Sequence, residues 1–232
     1  VTEDAKSERG LTLPTDTKTI GTVKNPNIEE IIALTPDLVL ASADLEPHQK
    51  AVSVLENAGI TCKTLHIESF SDYLSTLRQF CDLTGREDLY QKNGAAIDAK
   101  IKTCIAKVPK GKAPTVLLLR AMSSTAKALP GDHMTSLMLA DLGAENIATR
   151  SPSLLEDLSM EEVLRVDPDF ILVVPMGNLE AAEKTMAEGL AKNPAWSSLS
   201  AVKNEHYLLL DRELFHYKPN ARWGEAYETL FK

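Results

Sequence analysis

Aromatic residues make up only 5% of this 232-residue chain: five phenylalanines, five tyrosines and two tryptophans. So few rings leave little flat apolar surface for wrapping a bulky planar molecule. Cysteine is scarcer still. Cys62, Cys81 and Cys104 are an odd number at no metal-ligand spacing, and they read as free, mostly buried thiols. No apolar run approaches the roughly 18 residues of a membrane span; "PTVLLLRAM" is too short and Arg120 interrupts it. Positive charge is in deficit, with 25 Lys and Arg against 33 Asp and Glu, a net charge of −8 and a pI of about 5.2. Such a chain is a poor candidate for gripping nucleic acid, which needs a positive field. The catalytic signatures GxSxG, GxGxxG, the P-loop and HExxH are absent. The opening "VTEDAKSERG" is too polar to be a signal peptide. A leader removed earlier would leave the same start, so the compartment is not read from it.

What the chain does have is a sentence written twice. "IEEIIALTPDLVLAS" begins at Ile28 and "MEEVLRVDPDFILVV" at Met160, 132 residues later. Glu29 matches Glu161, Glu30 matches Glu162, Pro36 matches Pro168, Asp37 matches Asp169 and Leu40 matches Leu172. Asn27 and Ser159 are placed to cap a helix, and the paired glutamates suit its positive N-terminal end. The proline blocks continuation of the helix. "DLVLA" and "FILVVP" then read as short strands buried on both faces, as in a parallel sheet. Strands at "TCKTLHI", "TVLLLRA" and "HYLLLD" alternate with helices at "AVSVLENAGI", Ser71 to about Leu83, "DHMTSLMLADLGA", "NLEAAEKTMAEGLAK" and "RWGEAYETLF". That alternation predicts an α/β fold with mainly parallel sheets in two lobes. Between them, "REDLYQKNGAAIDAKIKTCIAKVPKGKAP" carries Leu89, Ala96, Ile97, Ile101 and Ile105 at helical spacing and no flexible Gly/Ser linker. One long helix joining the lobes is the simplest reading. The expected boundaries are 1–84 for the first lobe, 85–108 for the connecting helix and 109–232 for the second lobe.

The succession of "GTVKNPNIEEIIALTPDLVLAS", the helix near Tyr90 to Lys107, "LADLGAENIA" with "LSMEEVLRVDPDFILV", and "NPAWSSLSAVKNEHYLLLD" resembles the substrate-binding proteins of ABC importers for metal chelates: ferric siderophores, haem and cobalamin. The resemblance spans nearly the whole chain. It implies two α/β lobes bridged by a rigid helix with the ligand in the cleft, no intrinsic cofactor, an extracytoplasmic location and a membrane permease dimer as partner. It also implies that the first lobe lacks the family's N-terminal strand and helix. A monomer is expected, unless a neighbouring molecule supplies that strand. By position in the resemblance, Glu29 and Glu161 are the carboxylates that dock into arginine pockets of the permease, with Glu30 and Glu162 as local rivals. Carboxylate–guanidinium pairs would fix register as well as affinity.

In open α/β sheets, ligands bind beyond the carboxyl ends of the strands. That rule selects the loops "ASADLEP", "ESFSDY", "RAMSSTAKALPGDH", "PMGN" and "RELFHYKP". The expected ligand-binding residues are Ser42, Met122, Ser123, His133, Met176, Phe215, His216, Tyr217 and Arg222. The last loop is the richest, because Phe215, His216 and Tyr217 combine an apolar ring, an imidazole and a phenol. Tyr217 or His216 would ligate iron directly or hydrogen-bond to a chelate. Low aromatic content points to a shallow or polar cleft. A ferric siderophore is the leading ligand, with haem and cobalamin following. The rival class is a chelatase-like cytosolic enzyme, for which His216 with Glu213 is a thin candidate pair.

Overall fold

Both copies of the repeated sentence fold into a short capped helix, a tight turn and a strand. The computed structural model describes residues 1–7, 11–156, 158–177, 179–190 and 192–232. In the first copy the helix Ile28–Ala33 is capped by Asn27, whose Oδ1 accepts from the Glu30 N–H at 3.1 Å. In the second, Ser159 Oγ accepts from the Glu162 N–H at 3.4 Å ahead of the helix Met160–Val166. Each helix ends at a left-handed residue: Thr35 at φ 44° and Asp167 at φ 48°, again 132 positions apart. The turn geometry, as well as the sequence, is duplicated.

The chain divides into two compact units, Val1–Ile67 and Glu68–Lys232. In the first unit, β1 (Gly21–Thr22) and β2 (Asn25–Pro26) pair antiparallel. Strands β3 (Val39–Ser42) and β4 (Cys62–Leu65) pair parallel, connected through the helix Glu46–Asn57. Ile31, Ala51 and Leu55 form a small core. His48 ties this unit together, because its Nδ1 accepts from the Ser42 N–H at 3.0 Å and its Nε2 donates to the Val23 carbonyl at 3.0 Å.

The second unit holds β5 (Thr115–Ala121), β6 (Ala126–Ala128), β7 (Glu145–Asn146), β8 (Phe170–Pro175) and β9 (Tyr207–Leu209). The order is β6-β5-β8-β9, with β7 also on β5. β5, β7, β8 and β9 run parallel, and only β6 is antiparallel. The central strands are buried on both faces: Leu117, Leu118, Leu119, Ile171, Val173 and Val174 are each 0% exposed. One face packs with Leu154, Val163, Leu199 and Trp196 into the principal core.

β3 departs from the expectation of a strand buried on both faces. Leu40 is 50% exposed, whereas its counterpart Leu172 is 5% exposed. The cause is strand count. β8 lies between β5 and β9, while β3 pairs only with β4 among the described residues.

The long helix is present as a continuous helical run, Glu87–Tyr90, Gln91–Ala95 and Ala96–Ala106, and its middle segment is a π-helical turn. A π turn frees a carbonyl from the regular ladder, and Tyr73 Oη donates to the Asn93 carbonyl at 2.9 Å. Gly94 lets the neighbouring helix approach: a Cβ there would meet Leu77 at 3.1 Å and Leu74 at 3.2 Å. That neighbour, Phe70–Thr84, starts with a capping box on Ser69 and Asp72. Its Phe70 meets the Trp223 ring edge-on and its Tyr73 at a tilt, with ring centroids 5.9 and 6.4 Å away. This helix belongs to the second compact unit, Glu68–Lys232.

Candidate functional site

In the second unit, the parallel run of β5, β8 and β9 brings the loops that follow them to one end of the sheet. β5 ends with Arg120 and Ala121. Met122 follows, half-buried, and then the exposed Ser123. The loop after β8 is pinned at both ends: the Met176 N–H donates to the Ala121 carbonyl at 2.8 Å, and Arg212 Nη1 donates to the Gly177 carbonyl at 2.8 Å. Asp211 caps the short helix Arg212–Phe215 through the Glu213 N–H, and His216, Tyr217 and Lys218 come next. The Arg212 guanidinium lies over the Tyr217 ring at 5.3 Å, and the His216 and Tyr217 rings are 5.1 Å apart.

His133 enters from a different element. It N-caps the helix Met134–Asp141, with Nδ1 accepting from the Thr135 N–H at 3.2 Å. Thr135 Oγ1 donates in turn to the Phe215 carbonyl at 3.5 Å, joining this helix start to the loop that carries His216. Burial is the main cause that holds the His133 imidazole far below its usual range, at about 3; the positive charges of Arg120, Lys218 and His216 add to it. Burial thus favours the neutral ring.

Arg120 shares this environment. Its Nε is buried with no partner among the described residues. Burial lowers its pKa and the Glu68 carboxylate opposes that. Glu68 also pairs with Lys218 at 2.5 Å. Arg120, Lys218, His133, His216 and Glu68 thus form one polar cluster beyond the carboxyl end of β5. Among these named groups, two cations stand against one carboxylate, in a chain that is acidic overall. A buried guanidinium donor with nothing to bond is costly, and an incoming acceptor would satisfy it.

Of the residues expected from sequence, His133 and His216 belong to this cluster, and Tyr217, Met122, Ser123 and Met176 sit on the loops around it. Phe215 does not: it is 0% exposed and part of the core, because the short helix turns its apolar side inward with Leu214. Arg222 is held bidentate by Glu225 at 2.8 and 2.7 Å, an i,i+3 pair at the start of the last helix. Ser42 lies in the first unit, its N–H bonded to His48 and its Oγ accepting from the Asp44 N–H. Arg120, next to last in the apolar strand β5, is legible in the sequence as a residue that could neutralise an anionic ligand; Lys218 and Glu68 were missed, because they meet only through the fold. Among the described residues, no group of three or more His, Cys, Asp or Glu is placed to hold a metal ion.

The structure distinguishes the glutamates of each matched pair. Glu29 and Glu161 are exposed, whereas Glu30 and Glu162 are half-buried. Glu162 is engaged by Arg165 at 2.8 and 2.6 Å and by Ser151 Oγ at 2.5 Å. The Arg165 hydrogen bonds, followed by that of Ser151, lower its carboxyl to about 2. Glu161 is the carboxylate turned to solvent.

The sequence profile of the family described as periplasmic binding protein matches residues 1–214. The iron-uptake system-binding protein of Bacillus subtilis is 29% identical over 189 residues, which is 80% of this chain and 58% of that protein. The high-affinity heme uptake system protein IsdE of Staphylococcus aureus is 25% identical over 233 residues, covering 93% of this chain and 74% of that protein. A crystal structure of an ABC transporter substrate-binding protein from Listeria monocytogenes superposes with a TM-score of 0.75 at 25% identity, covering 96% of this chain and 86% of the other. The chain spans less than two thirds of the iron-uptake protein's length.

Proposed function

The chain belongs to the periplasmic binding protein family, and on that premise we propose that it is the extracytoplasmic substrate-binding component of an ABC importer for a metal chelate, with a ferric siderophore as the leading ligand. The observation that carries this reading is the polar cluster beyond β5. Arg120 keeps a buried Nε with no partner among the described residues, and its charge acts on His133 together with those of Lys218 and His216. A ferric siderophore presents anionic oxygens, which match that set of donors and its positive charges. The names of the iron-uptake relatives agree with this choice.

The chain acts by binding and delivery, without turnover. Glu29 and Glu161 are the docking carboxylates for the two halves of a membrane permease, since both stand exposed at equivalent places of a duplicated segment. Haem is the second reading. His216 and Tyr217 lie side by side, and a relative matched over 93% of this chain is named for heme uptake. Cobalamin follows at a distance.

Titration of the purified protein with ferric siderophores, haemin and cobalamin, read by visible absorption and by quenching of the buried Trp196 and Trp223, tests the assignment. Saturable 1:1 binding of a ferric siderophore with no chemical change in the ligand is expected. Failure of every chelate to bind would refute the reading.

A further inference from the structure

Two imidazoles border the cluster, and they are not chemically equivalent. His133 Nδ1 accepts the Thr135 N–H. An imidazole nitrogen that accepts an N–H must carry a lone pair, so in the neutral ring the proton sits on Nε2. Moving that proton to Nδ1, or adding a second one, sets two N–H groups against each other and removes the cap of the Met134–Asp141 helix. Nε2 therefore carries a hydrogen and has no in-plane lone pair to give to a metal.

The neighbours reinforce this state. Arg120, Lys218 and His216 surround the ring with positive or potentially positive charge, and burial disfavours another. Glu68 is the acidic member of the group, and it is paired with Lys218. The Arg120 Nε–H is a second buried donor, and it has no acceptor among the described residues. The cluster thus holds fixed N–H donors, and the imidazole of His133, with Nδ1 engaged by the Thr135 N–H and Nε2 protonated, has no free lone pair for a metal.

We propose that His133, its Nδ1 fixed as the acceptor of the Thr135 N–H, is a specificity-determining residue that serves the ligand site as an Nε2–H donor to an anionic oxygen of the bound chelate, and that it does not ligate the metal. This rests on the chelate-binding reading above. The ligand class that follows is an oxygen-rich anionic chelate whose iron is already fully coordinated, held by its carboxylate or catecholate oxygens. A metal centre with an open position gains nothing from His133.

Two measurements on the full chain decide it. Long-range 1H–15N NMR of the histidine rings at pH 5 and pH 7 reads the tautomer without any ligand; an unprotonated Nδ1 with a protonated Nε2 at both pH values is expected for His133. Protonation of Nδ1 at either pH overturns the proposal. The second measurement is titration with ferric citrate, the ferric complex of 2,3-dihydroxybenzoate, and haemin. His133→Ser keeps a capping oxygen but is too short to reach the ligand, and it weakens binding of at least one ferric oxygen chelate by about tenfold, the value of a hydrogen bond to a charged acceptor. His133→Asn retains a capping oxygen and an N–H donor and recovers most of that loss. Equal affinities for all three proteins, or a haemin spectrum that changes coordination when His133 is replaced, would contradict it. If none of the three probes binds the wild-type chain, the chelate-binding reading itself falls and the ligand claim with it, whatever tautomer the NMR reports.

Discussion

At the residue scale, identical backbone positions in the two copies carry different side chains. Thr35 and Asp167 are both left-handed. That region is strained for a β-branched residue and tolerated by Asp. Asp167 also accepts from the Ser200 N–H at 2.8 Å and from Ser200 Oγ at 2.6 Å. Thr35→Gly is expected to stabilise the protein by about 1 kcal/mol through relief of that strain. Asp167→Gly is expected to destabilise it, because it strands Ser200. Urea denaturation of the two variants checks both signs, and a loss of stability in Thr35→Gly would show that the Thr35 turn is not strained. His133 gives a pH prediction. Its folded value of about 3 lies below the ordinary imidazole value near 6.5. Between those values the unfolded chain binds a proton that the folded chain refuses, so stability falls as pH drops through that window and levels off below it. His133→Asn should lose less stability between about pH 6.5 and 3, and parallel pH profiles would contradict the assignment. The sequence could mark His133 and His216 because both follow apolar strands. It could not mark Lys218 and Glu68, which stand 150 residues apart and meet only when the chain is folded.

At the element scale, the helical run Glu87–Ala106 depends on its π turn. Tyr73→Phe removes the hydroxyl that satisfies the Asn93 carbonyl and should cost about 1 kcal/mol. Gly94→Ala places a methyl within 3.1 to 3.3 Å of Leu77, Leu74 and Tyr90, and should cost about 1–3 kcal/mol by overpacking. Thermal melts of both variants measure these losses; unchanged melting of both would mean that the π turn is not held by these contacts. Most elements were legible in advance, since alternating apolar runs, capping residues and Pro-Asp turns place helices and strands locally. The π turn was not: Asn93-Gly94 weakens the helix locally but does not specify a π turn, whose freed carbonyl is met by Tyr73 from the Phe70–Thr84 helix. The exposure of Leu40 was equally hidden. Its local sequence matches that of a central strand, and only the number of neighbouring strands decides burial.

At the scale of the whole molecule, the repeat supplies one exposed acidic knob in each unit, Glu29 in the first and Glu161 in the second. Charge reversal at both is expected to abolish transport while leaving chelate affinity unchanged. Transport at the normal rate in the double variant would refute the docking assignment. The ligand site answers to a separate test. The affinity of the purified protein for a ferric siderophore, compared with that of Arg120→Gln, is the most direct measurement. The chelate reading requires a loss of about tenfold or more, because the variant removes a positive charge and the unpartnered Nε–H together. An unchanged dissociation constant in a folded Arg120→Gln protein would contradict it.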